Sequence, residues 1–253
     1  METLLRHALK ISNINSLIHV GGHIGQEVDM YKSLDLTRAI YFEPVKSFSE
    51  QIALKIKSLK NFELFQYALG NDNFETQIYL ADKGEDDNSG SSSLLEPRES
   101  KITFSNTEII KVRKYSDLGI ENIDCAIIDT QGYELEIIKG FENKLDNFKF
   151  LILEFSNYEG YIGQVLYSDL NMFLNRNNFV LLKQFKKVNK VVPSKKSGSY
   201  GDALYINTNL LSKLQIKLYT YRYNFINNMF IDFLNKFSKI ALYKKLIKNF
   251  FKL

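Results

Sequence analysis

The chain has 253 residues, of which 45% are hydrophobic and 25% are charged. This composition is that of an ordinary globular protein, so it excludes a largely disordered chain and a collagen-like repeat. No apolar run exceeds four residues, whereas a membrane-spanning helix needs about 20. The single cysteine, Cys125, excludes a disulfide framework and a cysteine-rich zinc module. The first ten residues have no secretory signal pattern, so we expect a cytoplasmic protein.

The net charge of +4 is divided unevenly along the chain. Residues 211–253 carry nine Lys and Arg against one acid, a net charge of +8, and the preceding residues carry −4. From Phe225 onward, apolar residues recur at spacings of three and four, and lysines fill many of the polar positions. This pattern predicts an amphipathic helix with a basic polar face. We therefore expect a domain over residues 1–207 and a basic amphipathic helical tail over 208–253.

Three kinds of partner could cover the apolar face of the tail, residues 225–252. Packing on the acidic body or on a second copy of the chain is favoured, because most amphipathic helices cover a domain. The alternative is peripheral contact with anionic lipid at the inner face of the membrane. Nucleic acid is not expected, because the basic residues lack the aromatic stacking platform that single-strand binders use.

Short apolar runs alternate with helical patterns through the first 207 residues. Strands are predicted at 17–20, 39–42, 62–69, 125–128, 150–153, 179–182 and 203–206, and helices at about 26–33, 45–58, 133–139 and 163–175. Unbroken four-residue apolar strands indicate a sheet that is covered on both faces. The sequence therefore predicts a doubly wound α/β fold with a mostly parallel sheet and helices on both faces. Residues 71–116 predict a β-rich insertion after the third strand, with a polar loop over 82–93.

A glycine turn, residues 21–25 (G-G-H-I-G), joins the first strand to a helix. Glycines allow a ligand to approach the backbone, and the N-terminus of the next helix favours a phosphate or a carboxylate. The spacing is not the G-x-G-x-x-G of dinucleotide-binding folds. Glu43 ends the second strand, where an acid can accept both hydroxyl hydrogens of a ribose. Together the two features favour a ligand that contains a nucleoside.

Acids also end the two later strands at the centre of the predicted sheet. Asp129 follows the strand at 125–128, with Gln131 and Gly132 directly after it, and Glu154 follows the strand at 150–153. Open α/β sheets bind their ligands at the carboxyl ends of such strands. Asp129, Glu154 and His23 are therefore candidates by location for a general base, with Asp129 first by position.

Seven segments occur in an order that resembles the FkbM-type methyltransferases. They are V-G-G-x-I-G from residue 20, Y-F-E-P from 41, A-L-G-N from 68, S-S-L-L from 92, I-D-T-Q-G-Y-E-L-x-x-x-K-G from 128, L-E-F-S from 153 and G-D-A-L-Y from 201. The resemblance covers roughly residues 15–207. It implies a Rossmann-like class I methyltransferase fold and an S-adenosylmethionine-dependent O-methyltransferase. The implied acceptor is a sugar hydroxyl of a glycan, glycolipid or nucleotide-sugar precursor, as in polysaccharide biosynthesis.

The resemblance also implies roles for individual residues. The cofactor would be contacted by Gly21, Gly22, Gly25, Glu43, Ala68, Leu69 and Asp129. The acceptor would be contacted by Ser92, Ser93, Gln131 and Tyr158, since the two serines would cover the cleft. No metal is expected, because His19 and His23 lie on a strand and a turn rather than on one helix face.

The sequence departs from the family at two positions. His19 stands where an acid usually precedes the glycine turn, and Gln131 stands where many relatives carry Glu. Loss of an acid near the ammonium group of the cofactor removes one expected contact. The alternative function is therefore a catalytically inactive methyltransferase-fold protein that binds partners through its basic tail.

Overall fold

The computed structural model describes residues 1–82, 88–98, 102–189 and 198–211. The predicted helical tail lies outside these described residues from Ser212 onward, as does the segment 83–87 of the predicted polar loop. The described strands are β1 (Ser16–Val20), β2 (Arg38–Phe42), β3 (Phe62–Phe65), β4 (Ala68–Gly70), β5 (Phe74–Leu80), β6 (Asn106–Lys114), β7 (Cys125–Ile128), β8 (Phe150–Ser156), β9 (Phe179–Asn189) and β10 (Gly198–Asn207). The described α-helices are α1 (Glu2–Leu9), α2 (Val28–Lys32), α3 (Lys46–Ile56), α4 (Glu134–Lys139) and α5 (Tyr167–Arg176).

Seven strands form the central sheet in the order β3-β2-β1-β7-β8-β10-β9. The first five of these are parallel to one another. β10 runs antiparallel to β8, and β9 runs antiparallel to β10. This is a Rossmann-like arrangement, and it confirms the predicted mostly parallel α/β sheet.

The central strands are buried on both faces, which explains their unbroken apolar sequence. Every residue of β1 and of β7 is buried. On one face, Ile18 and Ile128 pack in a core with Ile138 of α4 and Leu174 of α5. On the other face, His19 of β1 lies beside α2. Helices therefore cover the sheet from both sides and leave the carboxyl ends of its strands free for a site.

The predicted insertion is a second, three-stranded sheet in the order β4-β6-β5. Its small core is formed by Ala68, Ile78, Ile110 and Val112 together with Val45. The polar loop that follows β5 includes a 3-10 helix at Asn88–Ser91. Ser93 returns to the sheet, where its backbone N–H and C=O both pair with Tyr79.

Some element predictions were wrong in detail. The single strand predicted at 62–69 is two strands in different sheets, because β3 pairs with β2 whereas β4 pairs with β6. The helix predicted from Gly163 begins only at Tyr167, and Gly163 has a left-handed φ of 81° that no helix interior accepts. The last two strands are longer than predicted, since they pair with each other over most of their length. The helix α1, which contains His7, was not among the predicted helices.

In the described parts of the chain, no helix combines the length and the apolar character that crossing a membrane requires.

Candidate functional site

Four parallel strands of the central sheet reach the same edge in register. The last parallel pairs of β1, β2, β7 and β8 join Val20 to Phe42 and to Ile128, and Ile128 to Leu153. The residues directly beyond these last pairs are Gly21, Glu43, Asp129 and Glu154. The tertiary structure thus brings the glycine turn and three predicted site acids to one edge of the sheet, where α/β folds hold ligands.

A cavity of about 550 Å³, open to solvent, lies at this edge. Five of the residues predicted to contact a cofactor line it, namely Gly21, Glu43, Ala68, Leu69 and Asp129. His23, Ser92 and Ser93 also line the cavity. Five other predicted site residues are not in its walls, namely Gly22, Gly25, Gln131, Glu154 and Tyr158. Gln131 and Glu154 instead lie directly behind Asp129.

Packing against neighbouring segments requires the glycines of the turn. Gly21 has a φ of 83°, and a Cβ there would lie 2.0 Å from the backbone oxygen of Asp129. A Cβ on Gly22 would lie 2.8 Å from the ring of Tyr41. The Lys55 ammonium donates to the backbone oxygens of Ile24 and Gly25 at 2.7 and 3.0 Å. Helix α3 therefore fixes the turn from outside, and the missing side chain of Gly21 lets the turn approach Asp129.

Glu43 is buried, and both of its carboxylate oxygens accept backbone hydrogen bonds. Oε2 accepts from His23 N–H at 2.8 Å, and Oε1 accepts from Val45 N–H at 2.9 Å. Burial raises the pKa of Glu43 to about 7, although the two N–H groups act in the opposite direction. Each oxygen keeps a second lone pair, so Glu43 can still accept hydrogen bonds from a diol.

His23 joins the glycine turn to the loop of the insertion. Its Nε2 lies 3.0 Å from the hydroxyl oxygen of Ser89, and its ring packs edge-on against Phe48 at 4.4 Å between centroids. The Ser92 hydroxyl donates to the Ser89 carbonyl at 2.8 Å. Ser93 is buried, and its hydroxyl donates to the Gln131 carbonyl at 2.8 Å. The 89–93 loop therefore contacts two strand ends across the cavity.

Asp129 and Glu154 form a half-buried pair that is bridged by an amide. Gln131 Nε2 donates to Asp129 Oδ1 at 2.9 Å and to Glu154 Oε2 at 2.6 Å. Burial is the main cause that raises the pKa of each acid, and the charge of Asp129 raises the pKa of Glu154 further. Two carboxyl groups so arranged do not both ionise easily, and such a pair can take up a proton.

Glu134 is a buried acid beside the site that the sequence pattern did not single out. Its Oε1 accepts hydrogen bonds from Thr130 N–H, Thr130 Oγ1 and Gly132 N–H at 3.1 to 3.2 Å. Burial raises its pKa to about 7, against the effect of these bonds. Glu134 therefore fixes the turn that carries Gln131. Its position, two residues after a glycine at the start of a helix, is the signal that could have indicated this role.

His19, at the position where the resemblance implies an acid, is buried away from the cavity wall. Its Nδ1 lies 3.1 Å from the Tyr31 hydroxyl and 4.0 Å from Glu27 Oε2. Burial lowers the pKa of His19, although the charges of Glu27 and Asp129 oppose this. Glu27 Oε2 is itself buried and has no hydrogen-bond partner. A carboxylate thus lies near His19, but it comes from the segment after the glycine turn and not from the strand.

The aromatic residues after β8 differ in their relation to the site. Tyr158 packs where a Cβ on Gly198 would lie, and its backbone bonds to Ser156. Tyr161, in contrast, is almost fully buried and donates its hydroxyl hydrogen to the Ser91 carbonyl at 2.7 Å. Its hydroxyl also lies 3.5 Å from Gln131 Oε1. Of the two tyrosines, Tyr161 therefore contacts the site loop and Gln131.

The histidines take part in separate contacts, and the described segments contain no group of three or more His, Cys, Asp or Glu arranged to hold a metal ion.

A family model described as the methyltransferase FkbM domain matches residues 19–181. The chain belongs to this family. The match includes the glycine turn, Glu43, the insertion, Asp129 and Glu154, so the FkbM domain contains the whole cavity. The expected family and its Rossmann-like fold are thereby confirmed. No protein of curated function matches the chain.

Solved structures with a similar fold are distant in sequence. An FkbM methyltransferase from Methylobacillus flagellatus is 14% identical, with a TM-score of 0.46. The match covers 76% of this chain and 43% of that protein, so the chain spans less than half of its length. A putative tRNA (m1A22) methyltransferase from Streptococcus pneumoniae, in complex with S-adenosylmethionine, is 13% identical, with a TM-score of 0.46 and coverages of 86% and 78%. Magnesium protoporphyrin IX methyltransferase from Synechocystis, with S-adenosylmethionine bound, is 10% identical, with a TM-score of 0.44 and coverages of 80% and 76%.

Proposed function

We propose that this FkbM domain is an S-adenosylmethionine-dependent O-methyltransferase whose acceptor is a sugar hydroxyl of a glycan, glycolipid or nucleotide-sugar precursor. The observation that carries the proposal is the cavity lined by both Glu43 and Asp129. One acid suits a ribose, and the other belongs to a half-buried carboxyl pair that suits proton transfer. One cleft therefore contains an acid suited to holding the methyl donor and an acid suited to taking the proton of the acceptor hydroxyl.

S-adenosylmethionine, the methyl donor of this family, fits the residues present. Glu43 has a free lone pair on each oxygen for the ribose hydroxyls, and Gly21 brings the backbone of the turn close to Asp129 at the wall. Apolar walls suit the adenine, and they include Phe42, Ala68, Leu69 and Ile137. When bound, S-adenosylmethionine supplies a methyl group on a positively charged sulfur that a nucleophile can attack.

The carboxyl pair is proposed to act on the acceptor. A sugar hydroxyl that gains a methyl group must lose its proton, and Asp129 or Glu154 accepts that proton in our proposal. S-adenosylhomocysteine leaves as the second product, so the overall reaction releases one proton. The negative charge of the pair also favours an approaching positively charged donor. His23 stays an alternative base, since it lines the same cavity beside Glu43.

Contacts with the acceptor are proposed for the residues around this pair. Ser92 and Ser93 line the cavity, which supports the expectation that the loop covers the acceptor. Gln131 contacts both acids of the pair. The support for Tyr158 is weaker, because it packs beside Gly198, and Tyr161 is the tyrosine that reaches Gln131. The cytoplasmic location and the partners of the tail stay predictions from the sequence.

A second candidate function is a catalytically inactive methyltransferase-fold protein that binds partners through its tail. The observation that favours it is His19, which stands in place of an acid and points to Tyr31. Glu27 lies close to His19 and could replace the lost charge, so His19 alone does not decide against activity.

Calorimetric titration of the purified chain with S-adenosylhomocysteine tests the cofactor site. We expect binding in the micromolar range, weakened by about 1–3 kcal/mol in Glu43→Gln, because the amide offers one acceptor oxygen in place of two. The exposed Glu50→Gln on α3 is the matched control and leaves the affinity unchanged. No binding by the folded wild-type chain would exclude the proposed function. A panel of sugar acceptors with S-adenosylmethionine then separates an active enzyme from an inactive binding protein.

A further inference from the structure

Gln131 occupies a central place in the site, although it does not line the cavity. Its one amide nitrogen bonds to both half-buried acids, Asp129 at 2.9 Å and Glu154 at 2.6 Å. An amide nitrogen has two hydrogens, so both bonds form at once and neither acid displaces the other. We propose that Gln131 is a positioning residue that holds Asp129 and Glu154 as one proton-sharing pair. This inference rests on the proposed function, in which that pair takes the proton of the acceptor.

The backbone and the surroundings of Gln131 fix its amide in place. Gln131 has a left-handed φ of 56°, a conformation that costs free energy for residues other than glycine and persists only where contacts enforce it. Its carbonyl accepts the Ser93 hydroxyl at 2.8 Å, and its amide oxygen faces the Tyr161 hydroxyl at 3.5 Å. Glu134 holds the N–H of the following Gly132. The amide is therefore oriented by its own backbone, by the insertion loop and by α4.

The pair needs such a donor because, among the residues that the structure describes, its ionisable neighbours do not donate a hydrogen bond to it. Several ionisable groups act on the two acids from β1, from the segment before α2, from α4, from the segment after β8 and from β10. They are His19, Glu27, Glu134, Tyr161 and Asp202. His19 is the basic group among them, and burial lowers its pKa, so it adds little positive charge. Three of the others are acids, which disfavour a second negative charge on the pair.

Under these conditions the pair keeps one proton and carries one negative charge. In our proposal the shared proton lies between Glu154 and Asp129, whose carboxyl groups are bonded to the same amide nitrogen. The two N–H bonds from Gln131 stabilise the remaining negative charge. The ionised carboxyl group of the pair can still accept a proton. Without the amide, the pair would hold its proton more tightly and would be less able to stay charged at neutral pH.

The test is infrared pH titration of the carboxyl C=O band of the full chain without cofactor. Bands are assigned with Asp129→Asn and Glu154→Gln. The substitution Gln131→Met keeps the length of the side chain and removes both N–H groups. We expect the midpoint of the pair's titration to rise by about one pH unit, the effect of losing an N–H bond to a carboxylate. The matched control is Gln164→Met, since Gln164 bonds to backbone N–H groups of Gly160 and Tyr161 and not to the acids.

A structural role alone would lower the thermal unfolding midpoint of Gln131→Met and leave the titration midpoint of the pair unchanged. That result would overturn the inference. A rise in Gln131→Met that also appears in Gln164→Met would overturn it too, because the effect would not depend on the bridging amide. Gln131→Asn gives a second variant for the case in which Gln131→Met does not fold, since Asn tolerates left-handed φ better and is too short to bridge both acids. Binding of S-adenosylhomocysteine is measured separately, so failure of the cofactor site is distinguished from failure of this inference.

Discussion

The hydroxyl of Ser93 donates a hydrogen bond to the backbone carbonyl of Gln131. This contact joins the insertion to the strand end that carries Asp129, across 38 residues of sequence. Ser93 also pairs through its backbone with Tyr79 of β5. This loop residue is therefore bonded both to the sheet of the insertion and to the segment after β7. The insertion is thus connected to the chemistry of the site, although its small sheet is separate from the central one.

Removal of the Ser93 hydroxyl should loosen the loop over the cavity. Ser93→Ala loses the bond to Gln131, and we expect amide hydrogen exchange in residues 88–94 to become several-fold faster, the effect of about 1 kcal/mol. Hydrogen exchange with mass spectrometry measures this. Ser105→Ala is the control, because Ser105 bonds to Asp82 in the same insertion and not to the strand end. Equal acceleration at 88–94 in both variants would contradict a specific link.

Gly21 should tolerate no side chain. Gly21→Ala combines a left-handed φ with a Cβ 2.0 Å from a backbone oxygen, so we expect a loss of stability of roughly 3 kcal/mol or more. Gly163→Ala is the matched control, because Gly163 has nearly the same φ, 81°, and nothing within 4 Å of its added Cβ. We expect it to lose only about 1 kcal/mol. Chemical denaturation compares the two, and equal losses would show that the close approach to Asp129 is unimportant.

Lys55 should stabilise the glycine turn through its two carbonyl contacts. Lys55→Met keeps the aliphatic stem and removes the donor, so we expect the free energy of unfolding to fall by about 1 kcal/mol and cofactor affinity to fall several-fold. Lys57→Met, at an exposed position at the end of the same helix, is the control. Binding of S-adenosylhomocysteine and denaturation provide the two measurements. A Lys55→Met chain that behaves like Lys57→Met would remove this contact from the site.

Two buried acids should make the protein lose stability as the pH rises. The pKa values of Glu43 and Glu134 are raised to about 7 from the ordinary 4.5. The folded state therefore keeps protons that the unfolded chain releases between about pH 4.5 and 7, and stability falls over this range. Glu134→Gln removes one of these groups and should flatten the decline. Denaturation at several pH values measures it, and an equally steep decline in Glu134→Gln would contradict the assignment.

Patterns local to the chain were sufficient for most of the central sheet. The four-residue apolar runs at β1, β2, β7 and β8 are continuous because helices cover both faces, and the same physics makes them recognisable. Residues 62–69 were predicted as one strand because a hydrophobic pattern does not show which other strand each residue pairs with. Only the pairing of β3 with β2 and of β4 with β6 separates them.

The sequence by itself determined the carboxyl ends of β1, β2 and β7, the glycine turn and the acids Glu43, Asp129 and Glu154, because residue type and position along the chain express these features locally. The tertiary structure decided what those residues contact. It placed Gln131 between two acids that are 25 positions apart in sequence, and it brought Ser93 to the backbone carbonyl of Gln131 and Tyr161 to its side-chain oxygen. It also gave Glu134 its role at the turn and turned His19 away to Tyr31. Such contacts depend on the register of neighbouring strands and on left-handed turns, which are fixed only when the whole sheet packs.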